Sequence, residues 1–381
     1  VAEPVVDITK LNQLITGANG GDVTATVGFT DASDLITINV GGGSNALTIT
    51  VAGTSLDAGN LNTIDSVTTI QVATSEIATL TGTANAVVTA MQASGLDLNN
   101  TSVNIALDNA ATATVTQLND MVTAQTPDGS ARSATITATS STEALDGSDN
   151  AVNLLALNTT TSDTIAITVG AFGADASQLV TLTGKTASQI DATAVTVITG
   201  TYADFVGNGS DTGLLNITTD LNLNGGSAKG DYAVVVEDTS LAADKVTELA
   251  AITTANVSTS ANLATVTGSI AQLLDLVALN DGEGAGNLTM AGGYNVTIDV
   301  TGGTTAAADE LRSILENTAG TVTADGLTDI SGEADDITAV QNEGSFSHDG
   351  DDYTVTIADA DGNLTVTEIN AIAGLTGGVV T

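Results

Sequence analysis

Apolar positions along the chain follow two alternating rhythms. Tyr232-Ala-Val-Val-Val, Tyr294-Asn-Val-Thr-Ile and Tyr353-Thr-Val-Thr-Ile are near-copies of one segment, about sixty residues apart. Leu47-Thr-Ile-Thr-Val51, Val103-Asn-Ile-Ala-Leu107 and Ile165-Ala-Ile-Thr-Val169 keep the alternation without the Tyr. A period of two sends successive side chains to opposite faces, so these segments predict strands with one buried face.

A different spacing follows each strand. Leu61 and Ile64, Leu118 and Met121, Leu179 and Leu182, Val246 and Leu249, Leu311 with Ile314 and Leu315, and Ile369 with Ile372 stand three or four apart. That spacing predicts helices of about two turns with one apolar face. Ser55-Leu-Asp-Ala-Gly-Asn-Leu61 and Ser240-Leu-Ala-Ala-Asp-Lys-Val246 read as helix starts, and Thr365-Val-Thr-Glu368 has the form of a capping box. A second alternating segment comes next: Val23–Val27, Ala134–Ala138, Val195–Val197, Ala255–Val257, Val322–Ala324 and Val379–Thr381. Leu80-Thr-Gly82, Ile198-Thr-Gly200, Val266-Thr-Gly268 and Ile330-Ser-Gly332 then lead into Ala/Asp-rich stretches that read as a second, short helix.

The predicted unit is therefore strand, helix, strand, short helix and loop. The fold expectation is a β-rich α/β repeat, an elongated solenoid-like array continuous over 1–381, with a string of small β-sandwich domains as the alternative. Approximate units are 1–44, 45–100, 101–162, 163–231, 232–293, 294–352 and an incomplete 353–381. One such unit has too little apolar area to offset its ordering entropy and must stack on its neighbours. Val5-Val-Asp-Ile8 with Leu11 and Leu14 opens as a strand and helix, whereas Val379-Val-Thr381 stops part-way through a unit. The expectation is a pair of open faces that join copies head to tail or continue into further repeats.

Composition narrows the chemistry. Six Lys plus Arg stand against 45 Asp plus Glu, a net charge of −39, yet charged residues are only 13% of the 381. Mean hydropathy is +0.26, so this is not a disordered acidic tail. Phosphate binding needs cations, which excludes nucleic acid as the expected partner. No Cys, no Trp and a single His remove disulfides, thiol chemistry, Cys zinc sites and most triads. No apolar run reaches membrane-span length. Aromatics at 2% leave the core to Val, Ile, Leu and Ala, and the Tyr series reads as amphipathic strand-edge residues or as a ligand platform.

The segments Thr367-Glu-Ile-Asn-Ala-Ile-Ala-Gly-Leu-Thr-Gly-Gly-Val-Val-Thr381, Gly320-Thr-Val-Thr-Ala324 and Ile330-Ser-Gly-Glu-Ala-Asp-Asp-Ile337 resemble repeats of giant cell-surface proteins of cyanobacteria and other Gram-negative bacteria. The similarity extends over most of the chain and is close from about residue 230 onward. The composition, rich in Ala, Thr, Gly and Asp without Cys, is similar to that of bacterial surface-layer proteins. The resemblance implies an exported, modular, structural or adhesive protein, often found alongside calcium-binding sequences. It implies no catalytic residues.

Asp359, Asp361, Asn363 and Glu368 are the candidate metal ligands, for calcium. With Gly362 they match later positions of an EF-hand loop, but Ile357 stands where the first ligand belongs. The competing reading is a solvated turn with Glu368 closing the capping box. Gly207-Asn-Gly-Ser-Asp211 is similar to a calcium nonapeptide, but a single copy lacks the neighbouring turns that complete coordination, and the segment reads as a plain loop. Asp349, Asp351 and Asp352 beside His348 read as a solvated acidic loop, and sequons at Asn208, Asn256, Asn287 and Asn363 fit chance in a Thr-rich chain.

The sequence points to a noncatalytic extracellular structural protein, a subunit or segment of a bacterial surface filament or surface layer. Its expected partners are copies of itself or further repeats, with surface glycan as an additional candidate. The alternatives are a calcium-dependent adhesin stalk or glycan-binding module and, from another class, a carbohydrate-active enzyme on a β-solenoid. The thin stock of aromatics and cations weighs against the enzyme.

Overall fold

The computed structural model describes residues 5–28, 30–74, 76–98, 100, 102–108, 112–126, 132–140, 154–171, 173–208, 212–217, 219–223, 230–280, 287–350, 352–358 and 364–381. It is an α/β protein. Twelve α-helices occur among the described residues: α1 Ile8–Gly17, α2 Ala32–Leu35, α3 Ala58–Ser66, α4 Ala84–Gln92, α5 Val115–Gln125, α6 Ala176–Thr183, α7 Tyr202–Val206, α8 Ala243–Ala250, α9 Ile270–Asn280, α10 Ala308–Glu316, α11 Ala334–Asn342 and α12 Val366–Ala373. The chain divides into two compact units: Val1–Gly170 with Gln178–Ala192 and Thr218–Asn222, and Ala171–Ser177 with Thr193–Ile217 and Leu223–Thr381.

In every sheet of three or more strands the described pairings are parallel, and among the described residues no sheet closes into a barrel. This is not the antiparallel pairing of the β-sandwich alternative. In the second unit Ser240–Ala242, Thr265–Gly268, Asn295–Ile298, Val322–Thr323 and Phe346–Ser347 lie side by side in chain order. Their register sets Leu241 beside Val266, Val266 beside Val296, Val296 beside Val322 and Val322 beside Phe346. Each step along this sheet therefore takes about twenty-five residues, and a period of sixty holds two of them. In the first unit Ser55–Asp57, Thr79–Gly82, Asn104–Leu107 and Ile136–Ser140 line up in the same way.

The expected unit is corrected in three places. Ser55–Asp57 and Ser240–Ala242, read as helix starts, are strands, and helices α3 and α8 begin immediately after them. The Ile/Leu/Val-Ser/Thr-Gly triplets are strand ends, in Thr79–Gly82, Val197–Gly200, Thr265–Gly268 and Asp329–Gly332. Gly82 shows why the triplet closes on glycine: its φ is 117°, where side chains are strained, and a Cβ would meet Asp57 Oδ2 at 2.8 Å. Nor is the second helix uniformly short, since α9 has 11 residues against 8 in α8. Three-residue strands are too short for alternation to reveal, and only the neighbouring strand defines them.

Helix packing is strictly phased. The first, fourth and seventh residues of α3, α5, α6, α8 and α10 are apolar: Ala58, Leu61, Ile64; Val115, Leu118, Met121; Ala176, Leu179, Leu182; Ala243, Val246, Leu249; Ala308, Leu311, Ile314. All fifteen are at most 2% exposed. Spacing of three places them in one stripe, and each buried Leu or Ile contributes roughly 1.5–3 kcal/mol relative to exposure. Side-chain caps begin several helices: Asp57 accepts from Asn60 N at 3.0 Å, and Thr114 with Gln117 forms a full capping box.

Candidate functional site

The predicted calcium set is split by what the structure describes. Asp359, Asp361 and Asn363 lie outside the described residues, and so do Gly209, Ser210 and Asp211 of the second candidate loop. Glu368 is in the capping box of α12: Thr365 donates to Glu368 Oε2 from its N–H and its hydroxyl, each at 2.7 Å, and Glu368 N donates to Thr365 Oγ1 at 3.2 Å. Among the described residues no group of three or more His, Asp or Glu is placed to hold a metal ion. Thr365→Ala is expected to cost roughly 1 kcal/mol of helix stability, seen as faster amide exchange confined to α12.

The tyrosines are core residues and form neither a strand edge nor a platform. Tyr232, Tyr294 and Tyr353 are 3%, 3% and 4% exposed, each directly before its strand. Burial raises the Tyr232 phenol above its ordinary range and pushes Tyr294 up to about 12. A phenol whose folded pKa lies above its unfolded value stabilises the fold fully below the unfolded pKa and loses that contribution as pH rises toward the folded one. Stability should therefore fall from pH about 10 upward, with phenolate absorbance appearing together with unfolding. Phenolate absorbance developing at ordinary pH in an intact fold would contradict this.

His348 is half-buried. Its Nε2 bonds to the Leu327 carbonyl at 2.8 Å and its ring meets Tyr353 edge-on at 4.7 Å, so it belongs to packing between steps and not to a solvated loop; Asp349 and Asp352 are exposed and Asp351 lies outside the described residues. The Asn287 sequon is also internal: its amide nitrogen lies within 3.0 Å of the carbonyls of Ala250, Thr253 and Ala255.

Two polar devices escaped the sequence reading. In the first, a Thr just after a helix turns its hydroxyl back onto the preceding strand. Thr253 Oγ1 directs its one proton between Tyr232 O at 2.6 Å and Gly230 O at 2.8 Å, and accepts from Ala255 N at 3.0 Å. Thr68 does this to Leu47, Thr186 to Ile165, Thr318 to Tyr294 and Thr376 to Tyr353. Each also accepts from the N–H two residues on. The signal was present, because these five threonines recur near the period, but Thr is too abundant here for one position to stand out.

The second device stands where the series would place a threonine between 68 and 186. Gln125 donates to Val103 O at 2.9 Å and accepts from Arg132 Nη1 at 3.0 Å. Arg132 grips Asp163 through both terminal nitrogens, Nη1 to Oδ1 at 2.9 Å and Nη2 to Oδ2. Asp163 also accepts from Ile136 N at 2.8 Å and Thr160 N at 2.9 Å. The Asp163 side chain is 0% exposed and that of Arg132 8%, so the pair is bidentate and dry. Separation by 31 residues hid it from any motif search.

The outward strand faces carry hydroxyls. Register aligns Thr267, Thr297, Thr323 and Ser347 in one column of the second unit. A cavity of about 300 Å³ between α10 and α11 includes Arg312, Glu316 and Glu343, and there Arg312 already pairs with Glu316 at 2.8 Å and Asp336 at 2.9 Å. The described polar clusters thus hold one step to the next. No family model, curated protein or solved structure matches this chain.

Proposed function

We propose that this chain is a noncatalytic structural protein of the bacterial cell exterior, a subunit or segment of a surface filament or surface layer in which each compact unit is a solenoid-like stack of steps. One observation carries the reading: polar side chains, buried or half-buried, recur as clasps between a helix end and an earlier strand, at Thr68, Thr186, Thr253, Thr318 and Thr376 and at Arg132–Asp163. A catalytic cleft gathers strained, unpaired or electrostatically opposed groups in one concavity. Here the clasping threonines are spread along the chain near the period, and each is hydrogen-bonded to backbone. The scarcity of Lys and the absence of Cys suit an exported protein, and parallel ladders of small β-branched residues suit a load-bearing stack.

Charge sets the working conditions. A net −39 repels along the stack at low ionic strength, while salt or divalent cations relieve that repulsion. Electron microscopy of the purified chain tests the reading. Ordered filaments or sheets are expected in saline with millimolar calcium, with shortening or loss at ~10 mM salt plus EDTA, where the Debye length grows to ~30 Å. Isolated particles in all conditions, or turnover on polysaccharides, would remove it, and retention on a glycan array without assembly would favour the adhesin.

A further inference from the structure

One position recurs just before a strand and closes the groove behind a helix. Val257 follows α8, and Val322 follows α10 at the same interval; Val257 N donates to the Asn287 carbonyl at 2.6 Å and Val322 N to the Ser345 carbonyl at 2.8 Å. Strand register agrees, with Leu288 beside Val257 and Phe346 beside Val322. Asn287 and Ser345 are therefore equivalent. The Asn287 amide nitrogen serves the carbonyls of Ala250, Thr253 and Ala255 at 3.0, 2.9 and 2.9 Å. Gly95 holds this place behind α3, where its carbonyl accepts from Val72 N at 2.8 Å, and there the Asp65 carboxylate takes the space that a side chain at 95 would need. Behind α10 the short Ser345 side chain fills nothing comparable, and a cavity of about 300 Å³ remains between α10 and α11. Leu315, Thr318 and Gly320 are the counterparts of Ala250, Thr253 and Ala255. The first two line the cavity, and no described side chain donates to any of the three carbonyls.

We propose that this cavity binds a primary alkylammonium group, with the ammonium at these carbonyls and its methylenes against the walls. A primary ammonium carries three donors and no acceptor, which suits a set of carbonyls that a neutral amide serves one groove earlier. Charge favours a cation over that amide. Both helices end here, α10 at Glu316 and α11 at Asn342, so the negative ends of two helix dipoles face the cavity. Glu343 adds a carboxylate without a side-chain partner among the described residues. Arg312 does not oppose the ligand, because Glu316 and Asp336 already pair with it. Leu315, Ala319, Ala339 and Val340 give an apolar wall, which favours an organic ammonium over a bare metal ion. The site lies within one compact unit and does not depend on assembly of the chain.

Calorimetric titration of the full chain tests it. In ~150 mM NaCl, where charges are screened beyond about 8 Å, n-butylammonium chloride should bind saturably at about 1 mM. Tetramethylammonium, a cation without N–H donors, should bind at least tenfold more weakly. Ser345→Asn places the amide of the α8–α9 groove into the cavity and should abolish binding while the melting temperature is kept or raised. Glu343→Gln, at an exposed side chain, should weaken binding several-fold and serves alone if Ser345→Asn does not fold. Nα-acetyl-lysine methylamide separates the two sources of the group: affinity equal to that of butylammonium assigns it to a lysine side chain of a partner, and loss of affinity assigns it to a free amine. Equal binding of butylammonium and tetramethylammonium means attraction to the acidic chain alone and overturns the site. Absence of saturable butylammonium binding, or binding unchanged in the folded variants, overturns it as well. None of these results bears on filaments or sheets seen by microscopy, so the structural reading stands or falls separately.

Discussion

Asp163→Asn is expected to cost about 3–5 kcal/mol, the range for removing one partner of a buried ion pair. The carboxylate accepts from Arg132 through two nitrogens and from the amides of Ile136 and Thr160, at 0% side-chain exposure. Asparagine keeps one acceptor oxygen and turns an NH2 toward groups that can only donate. The guanidinium, 8% exposed, then keeps one neutral acceptor at position 163 and Gln125 but has lost its counter-charge, so its desolvation is no longer compensated. Adding Arg132→Met should recover part of the loss, because it removes the stranded charge. Recovery should be incomplete, since a backbone amide lacking its acceptor still costs roughly 1–3 kcal/mol. With m about 1–3 kcal/mol per molar urea, the single variant should move the unfolding midpoint by about a molar or more. Amide exchange should place the change around Val103, Ile136 and Thr160 and leave the second compact unit as it was. A midpoint shift under a few tenths of a molar would mean that water reaches the pair in solution.

The helices were legible because three-residue apolar spacing survives in all of them, and Leu61, Leu118, Leu179, Val246 and Leu311 sit at one phase. The long alternating strands were legible for the same reason. What the sequence hid was pairing. Ser55–Asp57 and Ser240–Ala242 have no rhythm of their own and exist as strands because Thr79–Gly82 and Thr265–Gly268 run alongside. Reading them as helix starts was half right, as Asp57 does cap α3. The spacing of about twenty-five residues between neighbouring strands was not visible, because those strands differ in length and only the hydrogen-bond register equates them. The candidate calcium ligands show the converse limit: Glu368 fits a metal motif and a capping box with the same spacing, and the capping box is formed while Asp359, Asp361 and Asn363 lie outside the described residues. Arg132 and Asp163 illustrate long-range chemistry, since neither residue has a neighbour in sequence that announces its partner.

Thr253→Val is the second large effect, expected at about 1–3 kcal/mol for an isosteric change that deletes one hydroxyl. Shape is retained, so no cavity contributes and the loss measures polar satisfaction alone. The residue is 2% exposed, and its oxygen serves two carbonyls, Gly230 and Tyr232, and one amide, Ala255. A valine side chain there would leave the carbonyl lone pairs and that amide facing a methyl. Thr253→Ser restores the three bonds and should cost less than about 1 kcal/mol, through a freer rotamer and a lost methyl contact. The same clasp at Thr68 serves Leu47 O and N and Ile70 N in the other compact unit. The two clasps share no partner, so Thr68→Val and Thr253→Val should act additively within about 0.5 kcal/mol, each read from the urea transition of its own unit. A buried step that tolerates Val at both positions would show that parallel ladders and the apolar stripe hold the steps without the hydroxyls. A loss at both, with Ser neutral at both, would establish the recurring threonine as the element that locks each helix onto the strand before it.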